Sequence, residues 1–155
     1  GAFNWALFSG VKADGSLDFI NAGSLSIHEM VDWLKDDEVS FGLLRMGFGS
    51  GKFRRTKYIF VHWSGEKVSP VKRGRANAQE KQLAKALEPF AVELHPTDKD
   101  EFTLDIVIDK VRRATVVDGD DADSKTDDPF SVEAFMAALA EEQAANEAFF
   151  GEHVR

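Results

Sequence analysis

Three stretches of the chain carry residue types that could do chemistry. Gly47-Phe48-Gly49-Ser50-Gly51-Lys52 has the glycines and lysine of a phosphate-binding loop. Such a loop needs a glycine five residues before the Gly-Lys pair and a Ser or Thr after it, so that backbone N–H groups and a magnesium ligand converge on the phosphates. Met46 and Phe53 stand at those positions, so the segment reads as a glycine-rich hairpin between two strands. The histidines, His28, His62, His95 and His153, show no metal-ligand spacing; the helical zinc pattern starting at His28 would need a histidine where Asp32 stands. Asp118-Gly119-Asp120-Asp121-Ala122-Asp123 offers acids for calcium, but no register supplies the first three acids, the glycine and the closing Glu together. Neither a catalytic residue nor a metal ligand nor a cofactor is expected, and the chain does not read as an enzyme.

The charge pattern says more. From Arg45 to Phe90 there are eleven Lys/Arg against three acids, whereas from Thr115 to Arg155 there are two against eleven, within an overall net charge of −8. A basic middle and an acidic tail mark a protein with charged partners. Lys52, Arg54, Arg55 and Lys57 open a strand, Lys67, Lys72, Arg73 and Arg75 occupy the following loop, and Lys81 and Lys85 fall on the exposed side of the next helix. With strand end and helix adjacent, they form one cationic surface. Nucleic acid is not the expected partner, because the chain is acidic overall and sets no stacking aromatics beside its arginines.

Positioning these residues requires a core, and 155 residues with 43% hydrophobic content, 13 Phe and 3 Trp suffice for one domain. Cysteine is absent, which excludes a disulfide framework and thiolate metal sites. No apolar run is long enough for a membrane span, and Gly1 to Leu7 lacks the basic start and long apolar stretch of a signal peptide, so a cytoplasmic location is expected.

Phe3 to Phe8 and Leu17 to Ile20 read as a hairpin turning at Ala13-Asp14-Gly15-Ser16. Ser26-Ile27-His28-Glu29 has the form of a capping box, with Ile27, Met30, Val31 and Leu34 as a helical stripe. Val39 to Phe48 and the apolar run Lys57 to Trp63 read as central strands. A second capping pattern at Asn77-Ala78-Gln79-Glu80 starts a helix with Leu83, Leu87 and Phe90 inward, ended or kinked by Pro89. Ala91 to Leu94 is a short strand, and Leu104, Val107, Ile108 and Val111 mark another helix. Residues 117–128 form an acidic linker. Asp128 as N-cap and Pro129 at the first position open a final helix, residues 129–150, with Val132, Phe135, Met136 and Leu139 on one face.

Lys57-Tyr58-Ile59-Phe60-Val61-His62-Trp63-Ser64-Gly65-Glu66-Lys67-Val68-Ser69 resembles the actin-depolymerising-factor homology (ADF-H) family. In its coactosin- and drebrin-like branch a lysine and an apolar strand lead into Trp-x-Gly-Glu-x-Val. The resemblance continues through the Arg73-to-Phe90 helix region to Asp109-Lys110-Val111-Arg112-Arg113-Ala114 and spans roughly residues 4 to 114. It implies an α+β fold, with a central five-stranded, mostly antiparallel mixed sheet sandwiched between helices. It also implies binding along actin filaments without catalysis, in the cytoskeleton. Carried over by position, Arg54, Arg55 and Lys57 match the basic hairpin that faces the filament, with Lys57 on the filament-binding lysine. Lys81 and Lys85 fall on the actin-facing helix, and Arg112 and Arg113 at the end of the last shared helix; Lys72, Arg73 and Arg75 complete the basic surface. Trp63 and Gly65 read as core packing and a turn.

The family's usual first helix is absent from residues 1–116, while the linker and final helix exceed its pattern. Three fates of that helix are open: packing on its own sheet in place of the first helix, self-association with a second copy, or an acidic tail screening the basic patch. An alternative function is a cytosolic adaptor that holds a non-actin protein through its tail or basic surface.

Overall fold

The structure, a computed structural model, describes residues 2–117 and 129–153. The strands are β1 (Trp5–Val11), β2 (Leu17–Gly23), β3 (Val39–Phe48), β4 (Arg55–Ser64) and β5 (Val92–Leu94), in the sheet order β2-β1-β3-β4-β5. The helices are α1 (Ile27–Met30), α2 (Pro70–Leu87), α3 (Leu104–Val117) and α4 (Val132–His153). All strand pairs are antiparallel except β4 with β5. This is the α+β, mixed-sheet architecture expected.

Two buried clusters lie on opposite faces of the sheet. Trp5, Leu44, Met46, Ile59, Val61 and Trp63 pack against α1, α3 and α4. Phe41 and Phe60 pack against Ala76 and Leu83 of α2. The Lys12–Ser16 turn forms where expected, with Gly15 at φ 88° and Asp14 Oδ1 accepting the Ser16 N–H at 2.9 Å.

Helix starts differ from expectation in three places. At Ser26 no side-chain cap forms: the backbone there has φ 56°, and the Glu29 carboxylate accepts the Trp5 indole N–H at 2.8 Å. Helix α2 begins at Pro70, not Asn77: Ser69 Oγ accepts the Lys72 N–H at 3.3 Å and Pro70 takes the first position, where its missing N–H costs nothing. Lys72, Arg73 and Arg75 are therefore helical rather than in a loop. The helix ends before Pro89, so Phe90 lies beyond it and stacks on Phe60 with ring centroids 5.1 Å apart. Helix α4 is capped by Ser131, whose Oγ accepts the Ala134 N–H at 3.0 Å, which leaves Pro129 outside the helix. Asp128 and the linker beyond Val117 lie outside the described residues.

The register of β1 on β3 ends at Leu44, so among the described residues no strand pairs with 45–48 of β3 on that side. Helix α4 stands there. Ala134 O accepts the Gly49 N–H at 3.0 Å, and a Cβ on Gly47 would come within 3.2 Å of the Ala138 Cβ, so the backbone is approached closely by a small residue. Phe135, Ala138 and Leu139 are buried on the chain's own sheet, with Phe130 beneath them. Met136, expected in this stripe, is 44% exposed: the helix turns one position further toward Ala138.

At the other end of β4, the Trp63 indole donates to Lys35 O at 2.7 Å. Gly65 N–H donates to Glu38 O at 3.1 Å, and a Cβ on Gly65 would sit 2.2 Å from Asp36 O. Both residues are framework, as their sequence suggested.

In chemical denaturation, Phe135→Ala should cost about 3–5 kcal/mol and Met136→Ala no more than about 0.5 kcal/mol. Gly65→Ala should destabilise by about 1–3 kcal/mol, because the atoms it meets are backbone. Equal midpoints for the two α4 variants would contradict the packing of α4 described above.

Candidate cationic interface

Side chains alternate across a strand, so Arg55 and Lys57 of β4 share a face with Ile59, Val61 and Trp63. There they gather around Phe130: the Arg55 guanidinium carbon is 6.0 Å and the Lys57 Nζ 5.7 Å from its ring centroid. Arg112 joins the group from α3, donating to Phe130 O at 2.9 Å, with Asp109 3.7 Å away. Arg113 is held by Asp109 at 3.1 Å.

Arg54 is committed elsewhere. Its guanidinium pairs with Glu141 of α4, which also accepts the Gly51 N–H at 3.3 Å. Arg45 lies 4.0 Å from Glu142, whose carboxylate accepts from Asn4 Nδ2 at 3.1 Å. Two acids of the C-terminal helix thus contact two cations of the β3–β4 hairpin. No sequence pattern singled out this pairing; the signal available was the Glu141-Glu142 doublet on an otherwise alanine-rich helix.

The remaining cations stand on α2, in the layer on the opposite face of the sheet. This helix carries Lys72, Arg73, Arg75, Lys81 and Lys85 against a single acid, Glu80. All five cations are exposed. Arg73 donates to Gly65 O and Glu66 O, each at 3.3 Å. Among the described residues, Lys72, Arg75, Lys81 and Lys85 make no ion pair. Lys81 and Lys85, one turn apart, point away from the buried Ala76–Leu83 side.

Glu80 does not offset this charge at the surface, because it is turned toward His62 and His95. Burial acts to raise its pKa, but the hydrogen bond with His95 and the neighbouring His62 imidazole outweigh that and hold the carboxyl below the ordinary glutamate value.

The ten expected cations therefore divide into a group around the hairpin and Phe130, made of Arg54, Arg55, Lys57, Arg112 and Arg113, and a group on α2. The single continuous surface expected from sequence does not form: strand pleat and helix place the groups in different layers. Among the described residues, no helix is long and apolar enough to cross a membrane.

Residues 1–112 match the family described as cofilin/tropomyosin-type actin-binding protein. Coactosin of Dictyostelium discoideum is 24% identical over 116 residues, covering 74% of this chain and 79% of that protein. The crystal structure of coactosin from Entamoeba histolytica superposes with a TM-score of 0.64 at 22% identity, covering 74% of this chain and 83% of the other. The solution structure of mouse coactosin, described as an actin filament binding protein, gives 0.60 at 21% identity over 74% and 78%. The match spans all five strands, α1, α2 and most of α3, the elements that carry both cationic groups, and on it the chain belongs to the cofilin/tropomyosin-type family of actin-binding proteins.

Proposed function

We propose that the chain binds along actin filaments through α2, with Lys81 and Lys85 at the centre of its outer face and the exposed cations of its first turns, Lys72, Arg73 and Arg75, at the helix start beside them. The observation that carries this reading is the unneutralised charge of α2, five cations against one inward-turned acid. Actin is acidic, so a rigid cationic helix complements it without any chemical step. Arg55 and Lys57, gathered around Phe130, serve as a second contact. Such a protein works in the cytoskeleton and alters filament behaviour by occupancy, without turnover.

The N-terminal turns of α2 add support. A helix N-terminus carries partial positive charge and favours acids, yet the first turn has none, and three cations stand within residues 72–75. Folding alone disfavours that placement, and sequences depart from local rules mostly where function requires it.

Co-sedimentation with actin filaments tests the reading. Replacing both Lys81 and Lys85 by Ala should weaken pelleting roughly five- to thirtyfold at low salt, as expected for two exposed charges at about 0.5–1 kcal/mol each, and the loss should shrink as salt rises. Unchanged pelleting of the folded double variant would remove α2 from the interface. Lys72→Glu separates binding from folding by sign. With Ser69 as N-cap it creates a Ser-x-x-Glu capping box, so stability should rise by about 0.5–1 kcal/mol while filament affinity falls. A variant that gains stability without losing affinity would show that Lys72 does not face actin.

A further inference from the structure

We propose that His62, Glu80 and His95 form a binding site for a zinc-type divalent cation that ties α2 to the sheet. The three residues are far apart in sequence and are brought together by topology. Strands β4 and β5 run parallel with Val61 opposite Leu94, and one further step in that register sets His62 beside His95. Their rings stand 5.5 Å apart. Glu80 enters from α2 between Ala76 and Leu83, the two buried positions of that helix, so it faces the same point.

The ligand atoms are already close. Glu80 Oε1 lies 3.2 Å from His62 Nδ1 and 2.5 Å from His95 Nε2, and one ligand atom from each residue lies within 4.8 Å of the others. A tetrahedral zinc site with bonds of about 2.0–2.1 Å holds its ligand atoms roughly 3.4 Å apart. Closing the site therefore asks for shifts of about an ångström, within reach of His95 and Glu80, whose side chains are 54% and 24% exposed. Glu93, two residues before His95 on the same side of β5, has a carboxylate oxygen 3.6 Å from His95 Nε2 and can supply the fourth ligand, or water can.

His62 is the independent sign that the cluster is built for a ligand. It is 4% exposed, lies over Phe41 with centroids 4.4 Å apart, and among the described residues neither ring nitrogen completes a hydrogen bond. Its Nδ1 is near Glu80 but not aligned with it for a proper bond. A buried imidazole without a hydrogen bond is a cost that a native structure normally removes, and a metal bond at Nδ1 would satisfy the nitrogen that faces Glu80. Two imidazoles and a carboxylate suit zinc and its neighbours, whereas calcium and magnesium take oxygen ligands.

Titration of the full, metal-stripped chain with Co2+, followed by visible absorption, and with Zn2+, followed by calorimetry, tests the site. One equivalent should bind, with the intense bands of four-coordinate cobalt, and a hundredfold excess of Ca2+ should not displace it. Zn2+ should raise the melting temperature. His95→Ala, at an exposed position that folding tolerates, and Glu80→Gln should each weaken binding at least tenfold and abolish the thermal shift, while His28→Ala, outside the cluster, should leave both intact. Absence of saturable one-equivalent binding overturns the proposal, as does a His95→Ala variant that binds like the parent. Loss in His28→Ala alone would place the bound metal elsewhere and overturn it too.

Discussion

The ten-residue antiparallel register of β3 on β4, from Val39 opposite Ser64 to Phe48 opposite Arg55, constrains everything around it. A strand offers alternate residues to opposite faces, so a fixed register assigns each side chain of β4 to one layer. Ile59, Val61 and Trp63 go to the layer that holds α1, α3 and α4, and Phe60 and His62 to the layer that holds α2. A slip of one residue would exchange the two cores. The ends of the pair are fastened as well, at Gly65 against the Asp36 backbone and at Gly49 against α4.

That assignment also explains how the charge is distributed. Arg55 and Lys57 share parity with the larger core and meet Phe130, while the α2 cations ride on a helix that covers the smaller one. The acids of α4 then complete the division. Glu141 and Glu142 lie where β3 has outrun β1, and they engage the nearest cations, Arg54 and Arg45. Helix α4 thus does two jobs with one face and its flank: Phe135 and Leu139 extend the core, and the two glutamates settle the hairpin tip.

Much of this was legible in the sequence. The apolar run ending at Trp63, the Asp14-Gly15 turn and the stripe Val107, Ile108, Val111 each obey one periodicity, and each element appears where that periodicity puts it. The start of α2 was obscured because Asn77-Ala78-Gln79-Glu80 imitates a cap inside a helix, while Ser69-Pro70, the working cap, is followed by Gly74 and three cations that argue against a helix N-terminus. The relation between His62 and His95 could not be read at all, since a parallel strand pair erases any link between sequence spacing and proximity. The cations were individually identifiable. Their division between layers was only half visible, in the shared parity of Arg55, Lys57 and Ile59.

With Arg54 and Arg45 facing acids of α4, a protein of net charge −8 still presents five cations and a single inward-turned acid on one helix, α2. A helix of this kind is drawn toward a charged polymer of opposite sign before contact. At low ionic strength an acidic surface attracts α2 from a distance, which raises the rate of encounter. Once the Debye length shrinks to about 10 Å at 0.1 M salt, that attraction is screened. Association rate, more than the lifetime of the bound state, is then the quantity through which the surrounding salt would act on this chain.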